Sequence, residues 1–535
     1  MRGIIMVWFL AAILGVGLFL YYYKDTRPES TVRVKISPEK AISQADQFLL
    51  RLGVKPSSYD KTVTLSTCEP MYLKKTFGMK KTREILEKGD IPCNAWSVRY
   101  FQEEKSESLY VSLDCATGKV TYFGRALEDN APGVDLQPED ALRIAEEYFS
   151  IQGARLDNYH LVDRTSKKLP YRTDYSFQWE KTDYQVGDAG LRVFIAVQGE
   201  KLGAYSKFLK IPESFSWNSK EQEMPGDIAI FIFSILLGVV KIGVLVFLFI
   251  QYKYGSLRWK PALICAGVFF IVNLLAILNN LPGIWSGYTP WLNKSAFLSF
   301  YVLQEAIIFL WGSVWLLLVF VVGDSLARGL QKNPFPVTDF LLSRTGDPEE
   351  MRKRVWVGYC LGFIYAGYVT LFYLIGSHYT VLWKPIADSY AHSFRVYFPA
   401  FDAIQIFGGE LKDGLFYFFF IIFAALKLFK KNWAAILIAA VFFAFEAIHP
   451  AVRPIQMRAI ELIAFGLVWG WASLRYGIET VILSKVTFVV LLVAVPLIGS
   501  SVQYFQMNGW GALVLLFLPA WLVWSKRGSH CSPAR

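Results

Sequence analysis

Long apolar runs separated by short polar segments make up the chain after residue 225, whereas residues 26–224 form one long polar region. Several runs reach the roughly 20 consecutive apolar residues that a helix needs to cross the hydrocarbon core of a bilayer. Another apolar run near the amino terminus predicts an uncleaved signal anchor. We predict ten membrane-spanning helices, over residues 4–21, 228–250, 262–278, 296–322, 356–375, 396–429, 433–448, 455–474, 478–498 and 510–524.

The polar region has a different pattern, in which one helix start occurs twice. Residues 37–41 (SPEKA) are echoed by residues 137–141 (QPEDA). A proline in the first turn followed by an acidic residue is typical of a helix amino terminus. Alternating apolar and polar positions after each start predict strands. These strands cover residues 96–101, 109–113 and 120–123 in the first unit, and 175–179 and 191–197 in the second.

Composition agrees with a membrane protein, because 54% of the residues are hydrophobic and only 19% are charged. The predicted fold is mainly α. It is a polytopic helical membrane protein of about ten spans, with an extracytoplasmic α+β domain of two helix-plus-hairpin repeats. The predicted divisions are 1–24 (anchor), 25–125 and 126–224 (the two repeats), 225–395 (helices 2–5), 396–500 (core helices) and 501–535 (last helix and tail).

The net charge of +11 does not predict nucleic-acid binding, because Lys and Arg collect at the ends of the apolar runs. Membrane proteins keep such basic ends on the cytoplasmic side. This rule places both termini in the cytoplasm and residues 25–224 outside, in a multi-pass protein of the cell membrane. Membrane lipids are therefore the first predicted partner.

Six cysteines are scattered along the chain without a CxxC pair, and no metal-ligand spacing is visible. One disulfide can form among Cys68, Cys93 and Cys115, which would leave one of them over. The sequence predicts neither a metal nor another cofactor.

Polar side chains within apolar runs mark the candidate site, because charges at bilayer depth are costly and usually face a protein interior or water. A carboxylate and a histidine there could activate a water, relay protons or form a packing ion pair. We expect Arg458 and Glu461 to pair locally, since they are three residues apart on one helix. The full set is Glu410, Lys412, Asp413, Glu446, His449, Arg458, Glu461 and Lys485.

Three successive runs resemble the core helices of the CPBP intramembrane proteases, relatives of the type II CAAX prenyl endopeptidases. The resemblance rests on residues 432–440 (NWAAILIAA), 458–462 (RAIEL) and 465–471 (FGLVWGW). It implies a membrane-embedded endopeptidase acting on a membrane-associated peptide or protein. The helix-then-hairpin order of the polar region also resembles PepSY-type modules, which implies a binding or inhibitory role.

The family motifs are Glu-Glu-x-x-x-Arg, Phe-x-x-x-His, and a histidine followed four residues later by asparagine. Aligned on Trp433, this sequence has Asp413 and Gly414 at the paired glutamates and Ala447 at the first histidine. Lys485 occupies the second histidine position and Val489 the asparagine position. The resemblance therefore implies a site whose chemistry is impaired or lost.

A looser alignment keeps Glu410 as the carboxylate and His449 as the first histidine. The candidate catalytic residues are thus Asp413, Glu410 and His449, with Lys485 at the second histidine position. Residues 349–354 (EEMRKR) match the first motif by letter, but their charged surroundings predict a solvated inner loop.

Two alternatives stay open beside an active or degenerate protease. One is a non-catalytic receptor or scaffold whose outer domain binds a peptide or an envelope ligand. The other is a transporter, which the glycine pair Gly408-Gly409 favours by predicting a broken helix.

Overall fold

The structure is a computed structural model that describes residues 2–27, 30, 33–68, 70–105, 107–151, 155–254, 257–330, 347–380, 382, 392–447 and 453–525. It has one α+β domain inserted between the first apolar helix and a bundle of apolar helices. The predicted mainly-α class with membrane-spanning helices is therefore confirmed at this coarse level.

The described part of the α+β domain has three α-helices and eight strands. Its helices are α2 (Pro38–Arg51), α3 (Met71–Glu87) and α4 (Pro138–Ile151). Both predicted helix starts are confirmed, and the Ser37 hydroxyl accepts the backbone N–H of Lys40 as an amino-terminal cap. The strands are β1 (Asp60–Thr67), β2 (Asn94–Phe101), β3 (Ser108–Asp114), β4 (Val120–Ala126), β5 (Tyr159–Lys168), β6 (Thr173–Val186), β7 (Ala189–Gln198) and β8 (Lys201–Lys210).

All eight strands form one antiparallel sheet in the order β1-β2-β3-β4-β8-β7-β6-β5. The two predicted helix-plus-hairpin units are therefore replaced by two four-stranded halves, which join where β4 pairs with β8. Helix α2 packs on β1, β2 and β3, and helix α4 packs on β6 and β7. Each helix covers only its own half, so the joining strands lie between them.

The remaining helices are apolar for most of their length. They are α1 (Arg2–Thr26), α5 (Glu213–Lys253), α6 (Trp259–Asn279), α7 (Leu281–Ser286), α8 (Lys294–Arg328), α9 (Pro348–Gly376), α10 (Asp402–Leu415), α11 (Ile422–Phe429), α12 (Asn432–Ala447), α13 (Ile455–Tyr476), α14 (Ile478–Ile498), α15 (Gln503–Leu516) and α16 (Leu518–Ser525). The predicted boundary at residue 224 falls inside α5, because the polar segment before the apolar run continues the same helix.

Within the described ranges, fewer than ten helices are long and apolar enough to span a membrane. Among the described residues seven qualify, or eight if the bent pair α15 and α16 is one span. The predicted spans at 396–429 and 433–448 are not among them. The first is divided by a π-helical segment, Phe416–Ile421, between α10 and α11, and α12 has only 16 described residues.

Small residues let the helices approach closely at the centre of the bundle. A Cβ atom on Gly15 of α1 would lie 2.4 Å from the carbonyl oxygen of Phe363, and one on Gly367 would lie 2.4 Å from the Cα of Gly15. A Cβ on Gly362 would lie 2.5 Å from the Cβ of Thr487 on α14. Helix α9 therefore packs backbone to backbone against α1 and closely against α14, as small residues allow in membrane bundles.

The sheet domain is docked on the helices by polar contacts along its first strands. Arg99 donates to the carbonyl of Ser286 at 2.8 Å, and Lys294 forms an ion pair with Asp60 at 2.5 Å. Elsewhere in the interface, Trp96 stacks on Phe505, with ring centroids 6.2 Å apart. The domain thus contacts both the loop around α7 and the start of α15.

Candidate functional site

The predicted catalytic carboxylates lie on α10 and precede the π-helical segment. Glu410 and Asp413 are three residues apart on this helix, which continues through the glycine pair without the predicted break. The distortion comes later, at Phe416–Ile421, where the Ser473 hydroxyl of α13 donates to the carbonyl of Phe418 at 2.5 Å. Because a π-helical turn displaces the usual backbone hydrogen bonds, this side chain satisfies one of its carbonyl groups.

Lys485 of α14 reaches across to Glu410. Its ammonium nitrogen lies 2.5 Å from the Glu410 Oε2 atom, in a charge contact whose angles do not make a hydrogen bond. The Lys485 side chain is 6% exposed and that of Glu410 is 18% exposed. The ammonium also lies 4.9 Å from the ring centroid of Phe443 and 5.9 Å from that of Trp469. This lysine is therefore held between a carboxylate and two aromatic faces.

Asp413 does not join this ion pair. Its carboxylate lies 3.9 Å from the ammonium of the neighbouring Lys412, and both side chains are more than 40% exposed. Tyr417, one turn further along the chain, interacts electrostatically with Asp413 and with Glu446 of α12. The two predicted catalytic carboxylates thus lie in different environments: that of Glu410 is mostly buried, and that of Asp413 is open to its surroundings.

The other motif positions carry no catalytic group. A Cβ atom on Gly414 would lie 2.8 Å from the Cγ1 of Ile482, so a second glutamate at this position would displace α14 side chains. Ala447 ends α12, and Val489 packs on the apolar core of the bundle. His449 lies outside the described residues, so its predicted place in the site stays a prediction.

A second buried charge cluster lies on α13. The Glu461 carboxylate is fully buried, and Arg458 donates to its two oxygens at 2.7 and 2.6 Å, which confirms the predicted local pair. The hydroxyl groups of Tyr365 and Tyr373 on α9 also donate to this carboxylate, at 3.2 and 2.5 Å. The sequence predicted the pair but missed its tyrosine partners, since they lie almost 100 residues away.

The segment that matches the first motif by letter is not a solvated loop. Glu350 and Arg354 lie in the first turns of α9, which Asp347 caps by accepting the backbone N–H of Glu349 at 2.9 Å. The Arg354 guanidinium donates to Glu350 at 2.6 Å and to Glu479 of α14 at 2.9 Å. The predicted loop is wrong because Asp347 and Pro348 start a helix. Arg354 links the amino-terminal ends of α9 and α14.

The α+β domain contains a cleft of about 480 Å³ between α2 and α4. Gln44, Phe48 and Arg51 of α2 line one side, and Phe149 of α4 lines the other. The remaining walls carry five charged side chains, Asp90, Asp114, Lys119, Lys181 and Lys207. Sequence patterns do not reveal this cleft, because only the pairing of β4 with β8 brings its two halves together.

The cysteine prediction is confirmed for this domain. Cys68 and Cys93 form a disulfide between the ends of β1 and β2, and Cys115 is the free, buried thiol that is left over. Burial, with a smaller effect of Asp114, raises the pKa of Cys115 to about 12. Within the described part of the chain, no group of three His, Cys, Asp or Glu side chains is placed to hold a metal ion.

No protein-family model matches this sequence, and comparison with curated proteins and with solved structures gave no significant match. The resemblance to CPBP proteases and to PepSY modules therefore stays a prediction that depends on the quoted residues.

The arrangement of the intramembrane groups limits their chemistry. A general base must hold a free lone pair within reach of the water that it activates. The Glu410 carboxylate instead contacts the Lys485 ammonium group through its Oε2 atom. A protonated lysine has no lone pair with which to replace a neutral imidazole as a proton acceptor.

Proposed function

We propose that this chain is a CPBP-like membrane protein without peptidase activity, which acts as a receptor or scaffold through its α+β domain. The observation that carries the proposal is the buried contact between Lys485 and Glu410. Glu410 is the carboxylate that the looser motif alignment retains, and Lys485 stands at the second histidine position. The contact therefore joins two of the positions on which catalysis would depend.

The packing around Gly414 supports the same conclusion. A glutamate at position 414 would need the space that Ile482 fills. The second carboxylate of the motif is therefore absent, and the packing leaves no room for one. Asp413 is one methylene shorter than glutamate and pairs loosely with Lys412. Catalysis is sensitive to displacements of about 1 Å, so this carboxylate alone is a poor substitute.

The orientation of the chain is part of the proposal. Helices α1 and α5 flank the α+β domain in sequence, and basic residues, including Lys253, stand at their far ends. By the positive-inside rule we propose that the domain lies outside and that both termini lie in the cytoplasm. The Cys68–Cys93 disulfide supports the assignment, because such bonds persist in oxidising compartments.

Peptide cleavage by the purified chain in liposomes tests the proposal. Wild-type protein and the Glu410→Gln variant are incubated with membrane-associated and soluble peptides, and products are identified by mass spectrometry. We expect no cleavage products from either protein. Cleavage by the wild type that Glu410→Gln or Asp413→Ala abolishes would refute the proposal.

An active protease is the second candidate function. It is favoured by Tyr417, which interacts electrostatically with both Asp413 and Glu446, so that two carboxylates act on one phenol. In that case activity depends on Asp413 and Glu446 and survives Glu410→Gln. The same cleavage assay with Glu446→Gln separates this candidate from the first.

A further inference from the structure

The cleft between α2 and α4 lies where the two halves of the sheet meet. Phe48 of α2 packs edge-to-face on Phe123 of β4, with ring centroids 5.6 Å apart, and Phe149 of α4 packs similarly on Trp179 at 5.4 Å. The helices are therefore anchored over opposite halves and leave the space between them open. Its volume of about 480 Å³ is in the range of small-molecule sites.

Positive charge exceeds negative charge in this cleft. Arg51, Lys119, Lys181 and Lys207 line it, against two carboxylates. The Asp114 carboxylate is committed to its own turn, because it accepts the backbone N–H of Thr117 at 2.7 Å and also that residue's hydroxyl. Asp90 is the second carboxylate, so the cleft carries two negative charges against four positive ones.

Asp90 is shared between two of the lysines and contacts neither closely. Its Oδ1 atom lies 3.7 Å from the ammonium of Lys181 and 4.0 Å from that of Lys207, both beyond hydrogen-bond distance. Burial lowers the pKa of Lys207; Asp90 opposes this, and Lys181 and Lys119 add to it. The ammonium groups of Lys181 and Lys207 thus lie on either side of one carboxylate without a close contact to it, and Lys119 lines the same cleft. The Lys181 ammonium also lies 4.6 Å from the ring centroid of Tyr184.

The cleft also holds groups that would recognise the rest of a ligand. The Gln44 Oε1 atom is buried without a hydrogen-bond partner, and Gly118 packs against this amide. A buried acceptor without a donor costs free energy, which a donor on a ligand would recover. Burial raises the pKa of Tyr205 to about 12, so its hydroxyl stays protonated and can donate.

We infer that this cleft binds a small ligand through an oxyanion, a carboxylate or phosphate group held by Lys181, Lys207 and Lys119. Gln44 accepts a hydrogen bond from a donor on the same ligand. The inference deepens the proposed function and rests on it, because it assigns the site and the ligand class through which the outer domain acts as a receptor.

Calorimetric titration of the full chain in nanodiscs of zwitterionic lipid tests the inference. The probes are an N-acetylated dipeptide with a free carboxylate, the same dipeptide as its carboxyl-terminal amide, and inorganic phosphate. We expect at least one of the two anions to bind and the amide not to bind. The anion that binds distinguishes a peptide terminus from a phosphorylated ligand.

Variants locate the binding. Lys207→Met and Lys181→Met should each lower the affinity for the anion about tenfold or more, because each removes a charge-assisted hydrogen bond from a partly buried site. Lys167→Met is the matched control, because it removes the same charge from an exposed lysine of β5 that pairs with the exposed Asp129. The affinity of this variant for the anion should equal that of the wild type.

Two results overturn the inference. One is the absence of binding by both anions at millimolar concentration, and the other is equal affinity in the wild type, Lys207→Met and Lys181→Met. The two proposals fail separately. Peptide cleavage would refute the proposed function whatever the titration gives, whereas a chain that neither cleaves peptides nor binds anions would refute the inference about the cleft.

Discussion

The contact between Lys485 and Glu410 makes a quantitative prediction about stability. Lys485→Met leaves the Glu410 carboxylate in a site where it is 18% exposed and has lost its counter-ion. Removing one partner of a buried pair costs about 3–5 kcal/mol, and the residual exposure places this variant near the lower limit. Loss of the cation–π contact with Phe443 adds on the order of 0.5–1 kcal/mol.

The double variant separates a true pair from two independent residues. Glu410→Gln alone strands an ammonium group that is 6% exposed, and we expect it to cost about 3 kcal/mol as well. Independent effects would add to roughly 6 kcal/mol. Because Lys485→Met with Glu410→Gln buries no net charge, we expect a total near 3 kcal/mol and a coupling of about 3 kcal/mol.

Unfolding by denaturing detergent, followed by fluorescence of the 17 tryptophans, measures these differences. Lys412→Met is the control, because it removes a lysine from α10, the helix of Glu410, where the lysine side chain is 43% exposed. It should change the free energy of unfolding by less than about 0.5 kcal/mol. A Lys485→Met protein as stable as this control, or strictly additive costs in the double variant, would refute the reasoning.

Three further predictions concern other buried contacts. Gly15→Leu should prevent α1 from packing on α9, since even a Cβ atom would lie 2.4 Å from the Phe363 carbonyl oxygen. Size-exclusion chromatography should show loss of the folded monomer for this variant and no change for the control Gly17→Leu, where a Cβ atom meets nothing within 4 Å. Glu461→Ala should cost about 3–5 kcal/mol in detergent unfolding, because it strands a buried arginine, and an unchanged midpoint would contradict this. Cys115 should resist maleimide at pH 8 in the folded protein and react after unfolding, since its raised pKa keeps the thiol protonated; rapid labelling of the native protein would contradict this. The contribution of the protonated thiol to the free energy of unfolding is present below pH 9 and is lost as the pH rises towards 12.

Sequence patterns were sufficient wherever the deciding interactions are local. The proline-acid starts of α2 and α4 were predicted to the residue, because the cap and first turn depend on neighbours within four positions. The Arg458–Glu461 pair was predicted for the same reason. In contrast, β1, β5 and β8 were missed because their alternation is weak, and they become strands through pairing with neighbours in the sheet.

By itself the sequence determined that this is a mainly helical membrane protein with one α+β domain, because apolar run length and helix starts are properties of the local chain. Tertiary structure alone decided that Lys485 neutralises Glu410 from another helix and that β4 pairs with β8 to open a basic cleft. Both features join residues far apart in the chain. Their partners follow from how helices and strands pack in space, which no single stretch of sequence specifies.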